Sequence, residues 1–283
     1  MPASSTPAVS VATPPPVHAP RSGFAVRMAG VGAVVFLANA GLLVLQLVAG
    51  RLLSPFIGSS LETWTAVIAA FLAGIAVGNA VGGRIADRGA SGGKLAQYLA
   101  LGALTAGWMI GLPLLLSATG GSTALPLGPR IPVLTTLLCF PMAFALSVLT
   151  PLAIRIGVPD VSRTGLVAGL VFGLSTLGCL VGNYLTGFVL IPELAVNQIV
   201  LAVVTLLLVT AAAAFGLTRD KPGRTDSPIA VPHPAMPLEE LPVAPLPLRR
   251  AFVVVFLCSF AGMTLELAAT RLLAPVLGVS IYT

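Results

Sequence analysis

Residues Met28–Leu53 read MAGVGAVVFLANAGLLVLQLVAGRLL, an apolar run in which Arg51 is the only charged residue. A helix needs about 20 apolar residues to cross about 30 Å of hydrocarbon, because each residue advances about 1.5 Å. A membrane-spanning segment must also satisfy its own backbone hydrogen bonds, which a helix does within itself. The run therefore predicts a transmembrane helix.

Five more runs of this kind follow, and each approaches or exceeds the length needed to span a bilayer. They are Glu62–Gly83, Lys94–Ala118, Pro132–Ile154, Thr164–Ile191 and Ala195–Leu217. Over all 283 residues the chain is 57% hydrophobic and 8% charged, whereas soluble domains are about 25% charged. The composition excludes a cytosolic enzyme, a disulfide-rich secreted scaffold and a nucleic-acid binder, and it predicts an all-α integral membrane protein whose partner is the lipid bilayer.

The chain divides into four parts by composition. Residues 1–24 are rich in Pro, Ser, Thr and Ala and predict a disordered tail, and residues 25–217 hold the six runs. Residues 218–250 predict a Pro-rich cytoplasmic linker, and residues 251–283 carry a seventh apolar run. Ala38-Asn39-Ala40 resembles a signal-peptide cleavage site, but the apolar run continues beyond it, which favours an uncleaved spanning helix.

Positive charge predicts the orientation. With the N-terminus in the cytoplasm and one crossing per run, only Arg51, Arg130 and Arg271 of the 15 Lys and Arg residues lie outside. Positive residues concentrate on the cytoplasmic side of membrane proteins. The sequence thus predicts a multi-pass membrane protein with a cytoplasmic N-terminus.

The start of the first run is repeated later in the chain. Phe36–Thr63 reads FLANAGLLVLQLVAGRLLSPFIGSSLET, and Phe256–Thr283 reads FLCSFAGMTLELAATRLLAPVLGVSIYT, at a constant offset of 220 residues. Both copies share the pattern RLL-x-P-x-x-G-x-S, and chance similarity between two apolar helices would not reproduce its Arg, Pro, Gly and Ser at matched positions. Six crossings separate the copies, so a parallel repeat is expected: a six-helix bundle followed by the first helix of a second, truncated repeat.

Few polar residues lie in the apolar runs, and these are the candidates for substrate contact: Gln46, Arg51, Asn79, Asn183, Glu266 and Arg271. Arg51 and its copy Arg271 either reach lipid headgroups or bind an anion at a cavity mouth. Glu266 aligns with Gln46, and a carboxylate in an apolar run needs a proton or a partner. Both a structural and a functional role remain open for each residue.

Glycines at four-residue spacing form small faces on two of the runs. Gly74, Gly78 and Gly82 lie on the second, and Gly165, Gly169 and Gly173, followed by Gly178 and Gly182, lie on the fifth. Such faces allow close helix packing, with a sliding surface as the alternative. Pro141 and Pro151 interrupt the fourth run, as a kink or as the wall of a cavity.

No catalytic grouping, metal-ligand spacing or cofactor motif occurs in the sequence. The cytoplasmic loop GGRIADRGASGGK (Gly82–Lys94) lacks the phosphate-binding GxxxxGK[ST] pattern. It resembles instead the G-x-[LI]-A-D-R loop of major facilitator transporters. In that resemblance Asp87 and Arg88 would be a charge latch between helix ends.

Leu45–Arg88 resembles the membrane region of bacterial spermidine synthase-like proteins, a fused family whose pattern E-x-x-x-x-R-L-L-A-P-x-x-G-x-S precedes a Trp. The first copy matches it at Arg51, Pro55, Gly58, Ser60 and Trp64, and the second at Glu266, Arg271, Ala274, Pro275, Gly278 and Ser280. Leu149–Val158 and Thr164–Pro192 resemble the same family. Gln46 departs from it, since the family often has Glu there.

The resemblance implies a major facilitator-like six-helix bundle and a soluble aminopropyltransferase-like domain encoded downstream. That domain would carry the polyamine chemistry, and no segment of this chain matches it, so no catalytic residue is assigned and an enzymatic role stays undecided. Three functions remain: the membrane part of such a fused protein, which could bind or transport a polyamine; half of a secondary transporter; or a membrane anchor.

Overall fold

The computed structural model describes residues 21–120, 126–158, 164–219 and 248–277. Within these residues the chain is helical throughout, without a strand. The helices are α1 (Arg21–Ile57), α2 (Leu61–Asp87), α3 (Gly92–Thr119), α4 (Leu127–Ser147), α5 (Leu149–Gly157), α6 (Thr164–Leu185), α7 (Ile191–Glu193), α8 (Val196–Arg219) and α9 (Leu248–Leu277). A five-residue π-helical turn, Thr186–Leu190, joins α6 to α7.

Six helical segments of the described chain are long and apolar enough to cross a membrane. They are Met28–Ile57, Leu61–Asp87, Gly92–Thr119, Gly128–Gly157, Thr164–Glu193 and Val196–Gly216. The fourth crossing joins α4 to α5, and the fifth joins α6 to α7. The predicted multi-pass helical architecture is thus confirmed, and each predicted run differs from its helix by a few residues at the ends.

Two helices begin before the apolar runs that they contain. α1 begins at Arg21, so the last residues of the predicted tail are helical, while residues 1–20 lie outside the description. α9 begins at Leu248, three residues before the predicted seventh run, and its described apolar side chains are largely exposed. Most of the predicted linker, residues 220–247, lies outside the described residues, and the second repeat stays a prediction.

The helix ends follow from local chemistry. Gly58 adopts a φ of +78° after α1, a conformation that glycine reaches without a Cβ penalty. Ser60 then caps α2, because its hydroxyl accepts a hydrogen bond from the backbone N–H of Thr63 at 3.3 Å. The Thr63 hydroxyl donates back to the carbonyl of Gly58 at 3.0 Å. The first copy of the motif therefore forms the turn that joins α1 to α2.

Prolines shape the fourth crossing in two different ways. Pro151 has no N–H to bond the carbonyl four residues earlier, and the helix breaks nearby, at Val148. Pro141 leaves α4 continuous and frees the carbonyl of Leu137. That carbonyl accepts a hydrogen bond from the indole N–H of Trp108 on α3 at 3.3 Å. The predicted interruption near Pro151 is thus a one-residue break, at Val148, between two packed helices.

The packing has a simple order. Among the described helices α2 packs on α4, α6 packs on α1 and α3 packs on α8, with α1 also contacting α4 and α5. When crossings one, two and three are exchanged with crossings four, five and six, the α2–α4 pair becomes the α6–α1 pair and the α3–α8 pair maps onto itself. Exchanged crossings are three positions apart in the chain, and successive crossings alternate in direction, so each runs opposite to its counterpart. This is the pattern of an inverted repeat of two three-helix units.

Candidate functional site

The glycines of α2 form a seam directly against α4. A Cβ added at Gly74 would lie 2.9 Å from the carbonyl oxygen of Phe140, and one at Gly78 would lie 2.5 Å from that of Phe144. At Gly82 the added atom would lie 2.9 Å from the backbone of Val148. Backbone thus meets backbone along the α2–α4 seam, as small residues in membrane helices allow.

The glycines of α6 behave in two ways. Gly178 and Gly182 form an equally close α1–α6 seam, because an added Cβ at either would collide with a carbonyl oxygen of α1. At Gly165, Gly169 and Gly173 an added Cβ would meet no described atom within 4 Å. The predicted packing of these three glycines therefore has no partner in the described bundle. They lie on the side of α6 that faces away from α1.

Asn79 and Asn183 follow the seam glycines Gly78 and Gly182 in sequence. Both asparagines are exposed, and neither forms a hydrogen bond with any described residue. Each lies on the side of its helix away from the seam, together with other exposed residues spaced along the same face. We name these sets the open faces: Thr65, Ala69, Leu72, Ala76 and Asn79 on α2, and Gly169, Gly173, Thr176, Leu180 and Asn183 on α6.

Large apolar side chains are exposed on α3, α6 and α8, among them Trp108 on α3, Phe172 on α6 and Val209 on α8. Such side chains suit contact with lipid tails, whereas an unpaired amide in hydrocarbon costs free energy. Within the open faces, Asn79 and Asn183 are therefore the groups that most need a polar ligand, water or another protein element as a partner.

The other predicted residues of the bundle lie elsewhere. Gln46 and Arg51 are both half-buried on α1, well apart in sequence from the seam at Phe36 and Ala40. The role of Arg51 in anion binding stays a prediction. Its motif neighbour Gly58 has the structural role described above, and Pro55 lies within the last turn of α1.

The predicted latch lies in the α2–α3 connection. Asp87 and Arg88 are exposed, and Arg88 closes α2 through its backbone N–H. The connection is held by Ser91, which caps α3, and by the ammonium of Lys94, which donates to the carbonyl of Gly89. The charge-latch role of Asp87 and Arg88 stays a prediction.

Glu266 lies on the exposed helix α9, and the side chain of Arg271 is outside the described residues. Gly278 and Ser280 of the second motif copy also lie outside them. Any substrate contact by this copy remains a prediction from the sequence.

Two clefts open on the surface of the described bundle. Their volumes are about 210 and 370 Å³. The first lies at the ends of α1 and α3 near Pro55 and Ser117, and the second lies between α2 and α4 near Glu62. No group of three or more His, Cys, Asp or Glu side chains among the described residues could hold a metal ion.

Sequence reasoning missed three side chains that shape these contacts. Ser60 could have been recognised as a helix cap from its place two residues after a turn glycine. Trp108 offered no signal, because its acceptor is freed by Pro141 on another helix. Thr186 continues the α6 seam, where it is buried and donates to the carbonyl of Gly182 at 2.6 Å.

Comparison with protein-family models, with curated proteins and with solved structures finds no match to this chain.

Proposed function

We propose that the chain is the multi-pass membrane module of a spermidine synthase-like fused protein and that it handles a small solute, with polyamines as the first class to test. Six segments able to cross a membrane, together with the sequence resemblance, support the membrane module. The proposed location is the bacterial plasma membrane with a cytoplasmic N-terminus, as the distribution of Lys and Arg favours.

The observation that carries solute handling is the order of the helix pairs. The α2–α4 pair maps onto the α6–α1 pair when the first three crossings are exchanged with the last three. Inverted three-helix repeats of this kind occur within each half of major facilitator transporters, whose substrates bind where repeats meet. Because the two clefts of the described bundle are small and open, they favour a solute path along the surface of the bundle, completed by a second unit.

Asn79 and Asn183 are the residues of this chain best placed for that path. Their amides are exposed on the open faces, without a described hydrogen-bond partner. An amide can donate to or accept from a polar solute.

The test is spermidine uptake into proteoliposomes that contain the full chain. We expect Asn79→Ala and Asn183→Ala each to lower uptake by about tenfold, the effect of one lost hydrogen bond to a charged ligand. Thr205→Ala, an exposed position on α8, is the matched control and should transport normally. Uptake absent from the unmodified chain, or indifferent to both asparagines, would contradict solute handling.

A membrane anchor without transport is the alternative. The two clefts described above are open and lined mostly by apolar side chains, which favours it. Uptake no greater than in empty liposomes, from a chain that is correctly inserted, would support this function.

A further inference from the structure

The second cleft described above lies between the first turns of α2 and α4 and has a volume of about 370 Å³. That volume is near the lower end of the range for small-molecule sites, about 300–1,000 Å³. Its walls include Glu62, Thr65 and Ala69 from α2 and Ile131 and Pro132 from α4. We name it the Glu62 cleft, after its one charged lining residue.

The polar side-chain atoms of the Glu62 cleft are hydrogen-bond acceptors. The Glu62 side chain is exposed and has no ion-pair or hydrogen-bond partner among the described residues. The Thr65 hydroxyl donates its hydrogen to the carbonyl of Leu61 at 2.9 Å, so only its lone pairs remain for a ligand. The other lining residues carry no polar side chain. These walls therefore fit a ligand that is positively charged, donates hydrogen bonds and has an apolar part.

An anion fits the Glu62 cleft less well, although helix N-termini attract anions and two helices begin here. Pro129 has no backbone N–H, and the N–H of Thr63 is bonded to the Ser60 hydroxyl at 3.3 Å. Arg130 of α4 is not among the lining residues. Fewer amides are thus free to hold an anion, and the Glu62 carboxylate repels one.

The acid of the Glu62 cleft is found in only one of the two inverted units. The units correspond residue by residue at a separation of 104 positions, where GIAVGN (Gly74–Asn79) of α2 corresponds to GCLVGN (Gly178–Asn183) of α6. At this separation Leu166 of α6 takes the place of Glu62. The packing that the two units share therefore does not require the carboxylate, which leaves it available for a ligand.

The Glu62 cleft continues into the open face of α2. Thr65 and Ala69 belong to both, and Asn79 lies ten residues beyond Ala69, about 15 Å along the helix at about 1.5 Å per residue. Glu62 lies at the membrane surface where α1 ends and α2 begins. With the N-terminus in the cytoplasm, as proposed, this surface faces outward. A cation held at Glu62 would therefore lie at the outer end of the face on which Asn79 is exposed.

We propose that the Glu62 cleft binds the ammonium end of an organic cation, with the Glu62 carboxylate accepting from the ammonium and the apolar walls covering an adjoining alkyl segment. The inference rests on the proposed solute handling, and it specifies the charge class of the solute and the point where the solute first binds. An alkylammonium group could come from a free amine or from the headgroup of phosphatidylethanolamine, and the experiment separates these two sources.

Binding of spermidine to the full chain in a nonionic detergent, measured by equilibrium dialysis, tests the carboxylate. We expect Glu62→Gln to weaken binding about fivefold, near the upper range for an exposed ion pair, and Glu62→Asp to retain most of it. Added salt should weaken binding to the unmodified chain, because salt screens an exposed pair, and should change Glu62→Gln little. Glu193→Gln is the matched control, since Glu193 is an exposed carboxylate at the same membrane surface, outside the cleft.

Two further measurements test the walls and the source of the ammonium. Ala69→Leu would fill part of the cleft and should weaken spermidine binding, whereas Ala213→Leu, at an exposed position on α8, should not. Butylamine should compete with spermidine, and butyrate, which carries the opposite charge on a similar chain, should not. Competition by added phosphatidylethanolamine would assign the cleft to a lipid and overturn the solute site.

The outcomes separate this inference from the proposed function. Absent binding, equal binding to the unmodified chain and Glu62→Gln, or equal losses in Glu62→Gln and Glu193→Gln would refute the Glu62 cleft, even where spermidine uptake depends on Asn79. Binding that depends on Glu62, in a chain that takes up no spermidine, would uphold the site and contradict the proposed uptake.

Discussion

The α2–α4 and α1–α6 seams share close backbone packing at two glycines and differ at the third contact. In both, glycines bring two helix backbones together at carbonyl oxygens, at positions 104 residues apart. They differ at the third contact, where Gly82 of α2 lies against the break at Val148 and Thr186, the residue after α6, donates to the carbonyl of Gly182. Inverted copies thus keep the glycines that permit close approach and vary the position near the membrane surface.

The largest expected effect comes from filling the seams. Gly78→Leu and Gly182→Leu should each lower the free energy of unfolding by about 3 kcal/mol, because overpacking against backbone forces the helices apart. Thermal unfolding in detergent measures the loss.

The matched control for these variants is Gly169→Leu, at a position with no described atom near an added Cβ. It should change the unfolding temperature little. If Gly169→Leu lowered the unfolding temperature as much as Gly182→Leu does, the two sides of α6 would be equally tightly packed and the assignment of the seam would be wrong.

A smaller effect is expected from exchanging the third contacts. Gly82→Thr should destabilise the protein by about 1–3 kcal/mol, since the added Cβ lies 2.9 Å from backbone atoms of Val148. Thr186→Gly should cost about 1–2 kcal/mol through added backbone freedom and a lost hydrogen bond. Chemical denaturation measures the free energy of unfolding of both variants. A Gly82→Thr protein as stable as the unmodified chain would contradict the predicted difference between the two seams.

The smallest effect concerns a support that only the α2–α4 seam has. Trp108→Phe removes the donor to the Leu137 carbonyl and should cost about 1 kcal/mol. The α1–α6 seam has no such donor at the corresponding position, Ala212. Disulfide formation in this variant would be compared between two cysteine pairs, Ile75→Cys with Ala143→Cys across α2–α4 and Asn39→Cys with Cys179 across α1–α6. Only the rate of the first pair should change.

Sequence reasoning predicted the crossings well because length and hydropathy decide them. It also predicted the turn at Gly58 and an interruption near Pro151, where backbone chemistry acts locally. It could not tell Gly178 from Gly173, because both belong to small-residue patterns and only the neighbouring helix distinguishes the two sides. The repeat at 104 residues escaped notice because few identities survive, and contacts such as Gly182 with Ala40 join distant segments.

The two tryptophans of the chain lie at two different helix contacts. The Trp64 ring packs against Gly50 of α1, and the Trp108 indole bonds the Leu137 carbonyl of α4. Natural fluorescence therefore offers one emitter for each junction. With either indole replaced by phenylalanine, the remaining spectrum follows a single junction in real time, without any attached dye.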